Sequence, residues 1–366
     1  MTTAELSAPT GRALRNRPFR TVRIAEVQRL CEDAAAITFA IPDECTAEFV
    51  FIPGQSVTVR RTIDGVEQRR TYSICSAAGT SPRVGVREVP GGAFSGWLVR
   101  QLGPGDEVDI QPPSGSFTAD LGTAANHVLI AAGSGITPVL SIAASALAEP
   151  DSTVTLFYGN RRANTVMFAD ELADLKDAYG SRLQVVHVLS REPRASELFS
   201  GRLDQERIRT LLERLVAVEA VDHFWLCGPF GMVKDAEAAL EDLGVDMERV
   251  HRELFFVEDA APVPAEHTAA AASGPVSEVT IVLDGSESTL SLLRDMSILD
   301  GAQRVRDDLP FACKGGVCGT CRAKVTHGEV DMRRNYALDP PEIDAGFVLT
   351  CQSFAITDSL TVDFDA

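Results

Sequence analysis

The sequence lacks any long apolar run. None of its 366 residues falls in a stretch approaching the roughly 20 apolar positions that a membrane-spanning helix needs, so a helical membrane anchor is not expected. The longest run, His127-Val-Leu-Ile-Ala-Ala, has the length of a buried strand. Positive charge is also scarce. Lys and Arg number 34 against 52 Asp and Glu, a net charge of −18, which argues against nucleic acid as a partner. The amino terminus lacks the charged-then-apolar pattern of a secretory signal. Residues 1–18, with Arg12, Arg15, Arg17 and Glu5 among Gly and Pro, read as a disordered tail. No internal repeat is visible. Four of the eight cysteines (Cys31, Cys45, Cys75 and Cys227) are scattered, without the spacing of a disulfide framework, and fit a reducing cytoplasm.

The other four cysteines are ordered. Cys313, Cys318 and Cys321 with Cys351 make C-x4-C-x2-C-x29-C. This is the plant-type spacing for a [2Fe–2S] cluster held by four thiolates. A loop wrapped around so small a group must turn backbone N–H groups toward the sulfurs, and Gly315, Gly316 and Gly319 remove the Cβ atoms that would obstruct it. Zinc is the rival, but structural zinc takes two Cys pairs or adds histidine, and the distal segment offers a single Cys.

A length of 366 residues predicts two or three domains. From Phe19 to about residue 122 the pattern is short alternating strands punctuated by Pro53-Gly54 and Pro90-Gly91-Gly92, the signature of a small antiparallel barrel. Alternation places Arg70 and Tyr72 on one face of a strand and Ser73 on the other. A guanidinium suits a pyrophosphate, and a phenol suits stacking on a flat cofactor. Gly92 and Ser95 sit where a helix starts, so N–H groups are free for phosphate. From residue 123 to 257, apolar β-branched runs alternate with helical stretches such as 168–178 and 203–218, predicting βαβ units around a parallel sheet. Its first strand ends in Ala132-Gly133-Ser134-Gly135-Ile136-Thr137-Pro138, a close-approach loop for a pyrophosphate at a helix start, without the third glycine of the dinucleotide fingerprint. A later strand ends in Cys227-Gly228-Pro229. Residues 258–276 are Pro/Ala-rich without periodicity and read as a linker. Residues 277–366 alternate again around a turn at Asp284-Gly285, and a short helix is expected over 291–300.

These motifs, in this order, resemble the ferredoxin–NADP reductase superfamily. Phe51-Ile-Pro-Gly-Gln, Arg70-Thr-Tyr-Ser73 and Gly91-Gly-Ala-Phe-Ser95 resemble its FAD-domain motifs; Gly133-Ser-Gly-Ile-Thr-Pro138 and Cys227-Gly-Pro229 resemble its nucleotide motifs. The last ninety residues resemble a β-grasp ferredoxin. The resemblance implies FAD, a pyridine nucleotide and [2Fe–2S] as cofactors. It implies Arg70, Gly92 and Ser95 at the FAD phosphates, Tyr72 on the flavin, Ser73 near its N5, and Cys227, Gly228 and Pro229 beside the nicotinamide. Gly133, Gly135, Thr137 and Pro138 would carry the nucleotide pyrophosphate. Glu253, or Phe255 two residues on, would come near the flavin. Ser190-Arg191, with Arg161, resembles the 2′-phosphate set of NADPH members, although NADH stays possible with Glu192 close by. The segments 328–338 and 346–352 resemble the reductase subunits of multicomponent phenylacetyl-CoA 1,2-epoxidases, implying a di-iron oxygenase as acceptor and a role in phenylacetate catabolism. Reductases of 3-ketosteroid 9α-hydroxylases, which serve a Rieske oxygenase, share the layout. A redox sensor or carrier without turnover is the alternative of a different class. Lys314, Arg322, Arg333 and Arg334 flank the cluster sequence and are either docking cations or solvated surface charges.

Overall fold

The computed structural model describes residues 18–63, 65–118, 121–256, 274–306 and 308–366. The expected tail, except Pro18, and the linker, except its last three residues, lie outside the described residues. The chain divides into two compact units, one spanning Phe19–Glu258 and one containing the residues from Asp259 onward. Among the described residues no helix is long and apolar enough to cross a membrane.

The first unit begins with six antiparallel strands: β1 (Arg20–Cys31), β2 (Ala34–Ala40), β3 (Ser56–Ile63), β4 (Val66–Ser73), β5 (Arg83–Arg87) and, after helix α1 (Ala93–Arg100), β6 (Glu107–Ile110). Their order is β4-β3-β6-β1-β2-β5. The two outer strands meet where Ile74 bridges to Val84 and Cys75 N donates to Arg83 O at 2.8 Å, so the sheet closes into a barrel. Closure leaves no sheet edge to pair with another chain. Val22, Ile24, Ile37, Phe39, Val57, Val59, Val84, Val86, Val108 and Ile110 fill the interior, and Phe94, Leu98 and Val99 of α1 pack against them. Strand β2 is buried on both faces. Ala35 and Ile37 join the barrel core, while Ala34 and Ala36 join the core of the following domain. Small residues occupy the outer face because the neighbour approaches closely: a Cβ on Gly85 of β5 would lie 2.6 Å from Thr137 Cγ2 and 2.7 Å from Phe168 Cζ.

That neighbour is a five-stranded parallel sheet of β7 (Asn126–Ala132), β8 (Thr153–Asn160), β9 (Leu183–Leu189), β10 (His223–Pro229) and β11 (Val250–Phe256). The order is β11-β10-β7-β8-β9. Helices α2 (Ile136–Ala148) and α3 (Ala169–Tyr179) cover one face; α4 (Gln205–Leu215) and α5 (Phe230–Asp242) cover the other. The strands read as continuous apolar runs because both faces are buried. Strand order turns back between β7 and β10, and ligands of such sheets bind at that crevice, beyond the carboxyl ends. The crevice is tight: a Cβ on Gly135 would fall 2.1 Å from Cys227 O. Gly135→Ala is therefore expected to push β7 and β10 apart and lower stability by about 2 kcal/mol, the scale of an overpacked core site; thermal melts of the two proteins check this.

The second unit holds β12 (Val276–Leu283), β13 (Ser286–Leu293), α6 (Ile298–Ala302), β14 (Arg322–His327), β15 (Val330–Met332), α7 (Pro340–Asp344), β16 (Phe347–Leu349), β17 (Ser353–Ala355) and β18 (Ser359–Asp363). A mixed sheet runs β13-β12-β18-β14-β16, with β12 and β18 parallel, and β15 pairs β17 beside it. The hairpin turn at Asp284-Gly285 has both residues at positive φ, 55° and 70°, matching the twist of its strands. The helix expected over 291–300 is corrected. Backbone pairing holds β13 extended to Leu293, opposite Val276, and the helix starts only after Ser297, whose side chain accepts from Asp300 N. The antiparallel barrel, the parallel-sheet domain and the α+β carboxy-terminal fold otherwise agree with the sequence pattern.

Candidate functional site

Residues 313–321 form the loop between α6 and β14, and Cys351 follows β16. Lys314, Gly316 and Gly319 adopt left-handed backbone, with φ of 52°, 80° and 65°. Gly315 does not. Its N–H instead points at Cys313 Sγ, 3.3 Å away. Space is the stricter limit at Gly316, where a Cβ would sit 3.1 Å from Arg334 O. Tyr336 N donates to Gly316 O at 3.0 Å and Gln352 Nε2 to Lys314 O at 2.8 Å, so distant segments clamp the loop.

The four thiols form two pairs. Cys313 lies beside Cys318, and Cys321 beside Cys351. The neighbouring Cys318 thiol, then N–H groups of Gly315, Val317 and Cys318, hold Cys313 below the ordinary thiol range despite burial. Thr320 Oγ1 donates to Cys318 Sγ at 3.1 Å. Donors around sulfur stabilise thiolate, the form that binds metal. Among the described residues no three His, Cys, Asp or Glu side chains converge as ligands of one ion. Four thiols gathered in this way, with N–H and hydroxyl donors around them, fit the all-thiolate ligand set that a [2Fe–2S] cluster takes.

The second constellation lies where the barrel meets the parallel sheet. Ser73, at the end of β4 and 4% exposed, donates through Oγ to Glu253 Oε2 at 3.1 Å. Glu253 is in register with Cys227 on the neighbouring strand. Burial raises the Glu253 carboxyl to about 7, with the Ser73 bond pulling the other way. Burial, then the Glu253 charge, pushes the Cys227 thiol well up, so it stays protonated and is no nucleophile. Tyr72 and Arg70 share the opposite face of β4. Tyr72 stacks on Phe94 of α1 at 6.4 Å between centroids, and the Arg70 guanidinium lies 5.7 Å from the same ring. Burial pushes the Tyr72 phenol far up, so it stays neutral beside Arg70. Phe255 packs into the adjoining core instead of joining this group.

Two helix starts complete the site. Gly92 is the N-cap of α1 and Gly135 that of α2, and neither start is capped by a side chain. Ser95 Oγ accepts from Val89 N at 3.0 Å and Thr137 Oγ1 donates to Ser134 O at 3.0 Å, each securing its turn. Pro138 sits in the first turn of α2, where its missing N–H costs nothing. A Cβ on Gly228 would meet Met232 Cε at 2.8 Å, and Pro229 caps α5. Arg161 and Arg191 are exposed neighbours at the carboxyl ends of β8 and β9, Arg191 N donating to Arg161 O at 2.8 Å. Ser190 N donates to Asn160 O at 2.9 Å. Glu192 is held by Ala163 N at 2.9 Å.

Sequence reading missed Arg87. It lies on barrel strand β5, yet it donates to Thr165 O and comes within 3.8 Å of the position a Cβ on Gly133 would take. Only the docking of barrel against sheet brings it to the glycine loop, and an Arg ending a strand carries no such signal. Of the cations that flank the cysteine loop, three are engaged within their own unit. Lys314 bonds Asp300 and Gln303, Arg322 pairs with Glu342 at 2.9 Å, and Arg333 stands 3.3 Å from Asp331.

Comparison with known proteins supplies three domain matches in the same order. An oxidoreductase FAD-binding domain matches residues 21–119, an oxidoreductase NAD-binding domain residues 129–238, and a 2Fe-2S iron-sulfur cluster binding domain residues 281–355. The chain is similar to a subunit of the 1,2-phenylacetyl-CoA epoxidase of Escherichia coli, 40% identical over 95% of this chain and 98% of that one. It is also similar to the ferredoxin reductase component of 3-ketosteroid-9-alpha-monooxygenase of Rhodococcus rhodochrous, 34% identical over 91% and 93% of the two chains. The solved structure of phthalate dioxygenase reductase shares the fold, with a TM-score of 0.60 at 23% identity over 94% and 98%. The paired thiols, the junction between barrel and sheet, and likeness along nearly the full length of both relatives converge: this chain belongs to the ferredoxin–NADP reductase-type flavin iron–sulfur oxidoreductases that carry a carboxy-terminal [2Fe–2S] domain.

Proposed function

We propose that the protein takes electrons from NADPH and delivers them through FAD and [2Fe–2S] to the di-iron oxygenase component of a phenylacetyl-CoA 1,2-epoxidase, in phenylacetate catabolism. FAD when bound accepts a hydride and releases electrons singly, which suits a one-electron cluster. The observation that carries the reading is the bond from Ser73 to Glu253, 180 residues apart, with Cys227 on the adjoining strand. A hydroxyl, a carboxyl that titrates near 7 and a neutral thiol at the crevice of a parallel sheet are equipped to seat a nicotinamide and hold a proton. Glu253 would hold that proton, Ser73 would orient the acceptor end of the flavin, and Cys227 would pack against the nicotinamide. Tyr72 would cover the flavin. Arg70 and the start of α1 would take the FAD pyrophosphate, while the start of α2 and Arg87 would take that of the nucleotide. The choice of oxygenase rests on the Escherichia coli relative. The second reading, a 3-ketosteroid 9α-hydroxylase reductase, is favoured by the Rhodococcus rhodochrous relative.

Anaerobic titration with NADPH is expected to bleach the flavin and then the cluster. No bleaching of either would sink the reductase reading in favour of a sensor or carrier. Reconstitution with epoxidase subunits and, separately, with the steroid hydroxylase tests the partner; turnover only with the latter reverses the choice. Arg161, Ser190 and Arg191 support NADPH as the nucleotide, and Glu192 supports NADH. Arg191→Ala should lower kcat/KM for NADPH by roughly tenfold, the scale of one charge-assisted contact, and leave NADH within about twofold. Equal losses with both nucleotides would remove Arg191 from 2′-phosphate recognition.

A further inference from the structure

We infer that the carboxamide of Asn160 binds the ribose–phosphate stem of the adenosine half of the pyridine nucleotide; this deepens the reading above and rests on it. Asn160 ends β8 and is only 7% exposed, yet neither its Oδ1 nor its Nδ2 has a hydrogen-bond partner among the described residues. More than nine in ten buried polar groups in folded proteins are satisfied, and an unsatisfied one costs stability. A side chain serving only the core at this position would be apolar.

Register fixes where the amide sits. Gly159 is paired with Ala132, so Asn160 is level with Gly133, the first residue of the glycine loop. It shares a strand face with Tyr158, two residues back. The Tyr158 hydroxyl donates to Gly133 O at 2.9 Å. The amide lies near that hydroxyl and would favour its anion, but neither amide atom makes a hydrogen bond among the described residues. On its other side, the Asn160 carbonyl accepts Ser190 N, and Arg161 follows directly. Asn160 thus stands between the loop that would hold the pyrophosphate and the residues that would meet the 2′ position. A carboxamide offers both a donor and an acceptor. A ribose hydroxyl beside a phosphate oxygen presents the complement, and the bound nucleotide would satisfy both idle atoms.

The test compares Asn160→Leu and Asn160→Asp with the parent, each FAD-loaded and carrying its cluster. Leu has nearly the same volume without the buried polar atoms. Its nucleotide-free melting temperature should equal or exceed the parent's, while its Kd for NADP+ weakens roughly tenfold or more, the worth of one or two hydrogen bonds. The same loss should appear with 2′,5′-ADP, which carries only the adenosine half, and not with nicotinamide mononucleotide. Asp is isosteric but sets a negative charge against phosphate, so it should bind more weakly than Leu, with the deficit growing as salt is lowered. Kd values within twofold of the parent in both variants overturn the assignment, as does a Leu variant that loses several degrees of melting temperature, because the amide is then a structural group. Failure of the parent itself to bind either NADP+ or NAD+ would instead sink the reductase reading.

Discussion

Cys321→Ala should remove the visible absorbance and the electron paramagnetic resonance signal of the cluster while leaving the flavin in place. Cys321 and Cys351 are 3% and 6% exposed and belong to the core of their unit, among Leu299, Leu338, Leu349 and Val362. Cys321 O also accepts both the N–H and the hydroxyl of the buried Thr350, at 3.1 and 2.9 Å. Loss of this sulfur would remove one of the four thiols that would hold the cluster and leave Cys351 without its neighbour. Because ligand binding is part of the folding energy of such sites, the melting transition of the carboxy-terminal unit should fall with it. The unit from Phe19 to Glu258 has its own cores, so NADPH should still bleach the flavin and ferricyanide reduction should persist. Delivery to a cluster-dependent acceptor should fall at least about a hundredfold, beyond the loss typical of altering a residue behind the ligands. Retained cluster absorbance in Cys321→Ala would remove this cysteine from the ligand set.

Glu253→Gln should have the next largest effect. The parent carboxyl titrates near 7 because burial disfavours its charge. If the protonated form serves turnover, stopped-flow flavin reduction by NADPH should decline as pH rises through about 7. The Gln variant should be slower by about 10²-fold, the low end of what a positioned acid contributes, and flat with pH. Stability follows the same group. Its folded pKa lies above the ordinary value of 4.5, so the native state binds more protons than the unfolded chain between those values. The stability this contributes is fully present below about 4.5 and is lost as pH rises through about 7. Glu253→Gln should abolish that slope and melt no lower than the parent at pH 8. A variant that reduces flavin at the parental rate, with the parental pH profile, would exclude Glu253 from the proton path.

Much of this was legible in one dimension because the chemistry is local. Four thiolates around a small cluster require three ligands within nine residues, and that spacing is visible in the chain. Phosphate loops pair glycines with a helix start, so Gly92, Gly133 and Gly135 stand out for the same reason. Strand alternation correctly separated Arg70 and Tyr72, which gather at Phe94, from Ser73, which faces Glu253. Hairpin β12–β13 shows the limit. A polar Ser/Leu stretch carries little periodicity, and pairing with Val276 held it extended where a helix was expected.

By itself, then, the amino-acid sequence determined three domains' worth of pattern, the grouping of Cys313, Cys318 and Cys321 in one loop, and the glycine loops, because each depends on residues within one loop or strand of one another. Tertiary structure alone decided which distant groups share a site. Docking of the barrel on the parallel sheet, permitted by Ala34, Ala36 and Gly85, sets Ser73 against Glu253 and Arg87 against the Gly133 loop. Folding of each unit also leaves the Asn160 amide buried without a hydrogen-bond partner among the described residues, and engages Lys314, Arg322 and Arg333 in ion pairs within the carboxy-terminal unit. Burial and pairing set the energy of a polar group, and neither exists until the chain has folded.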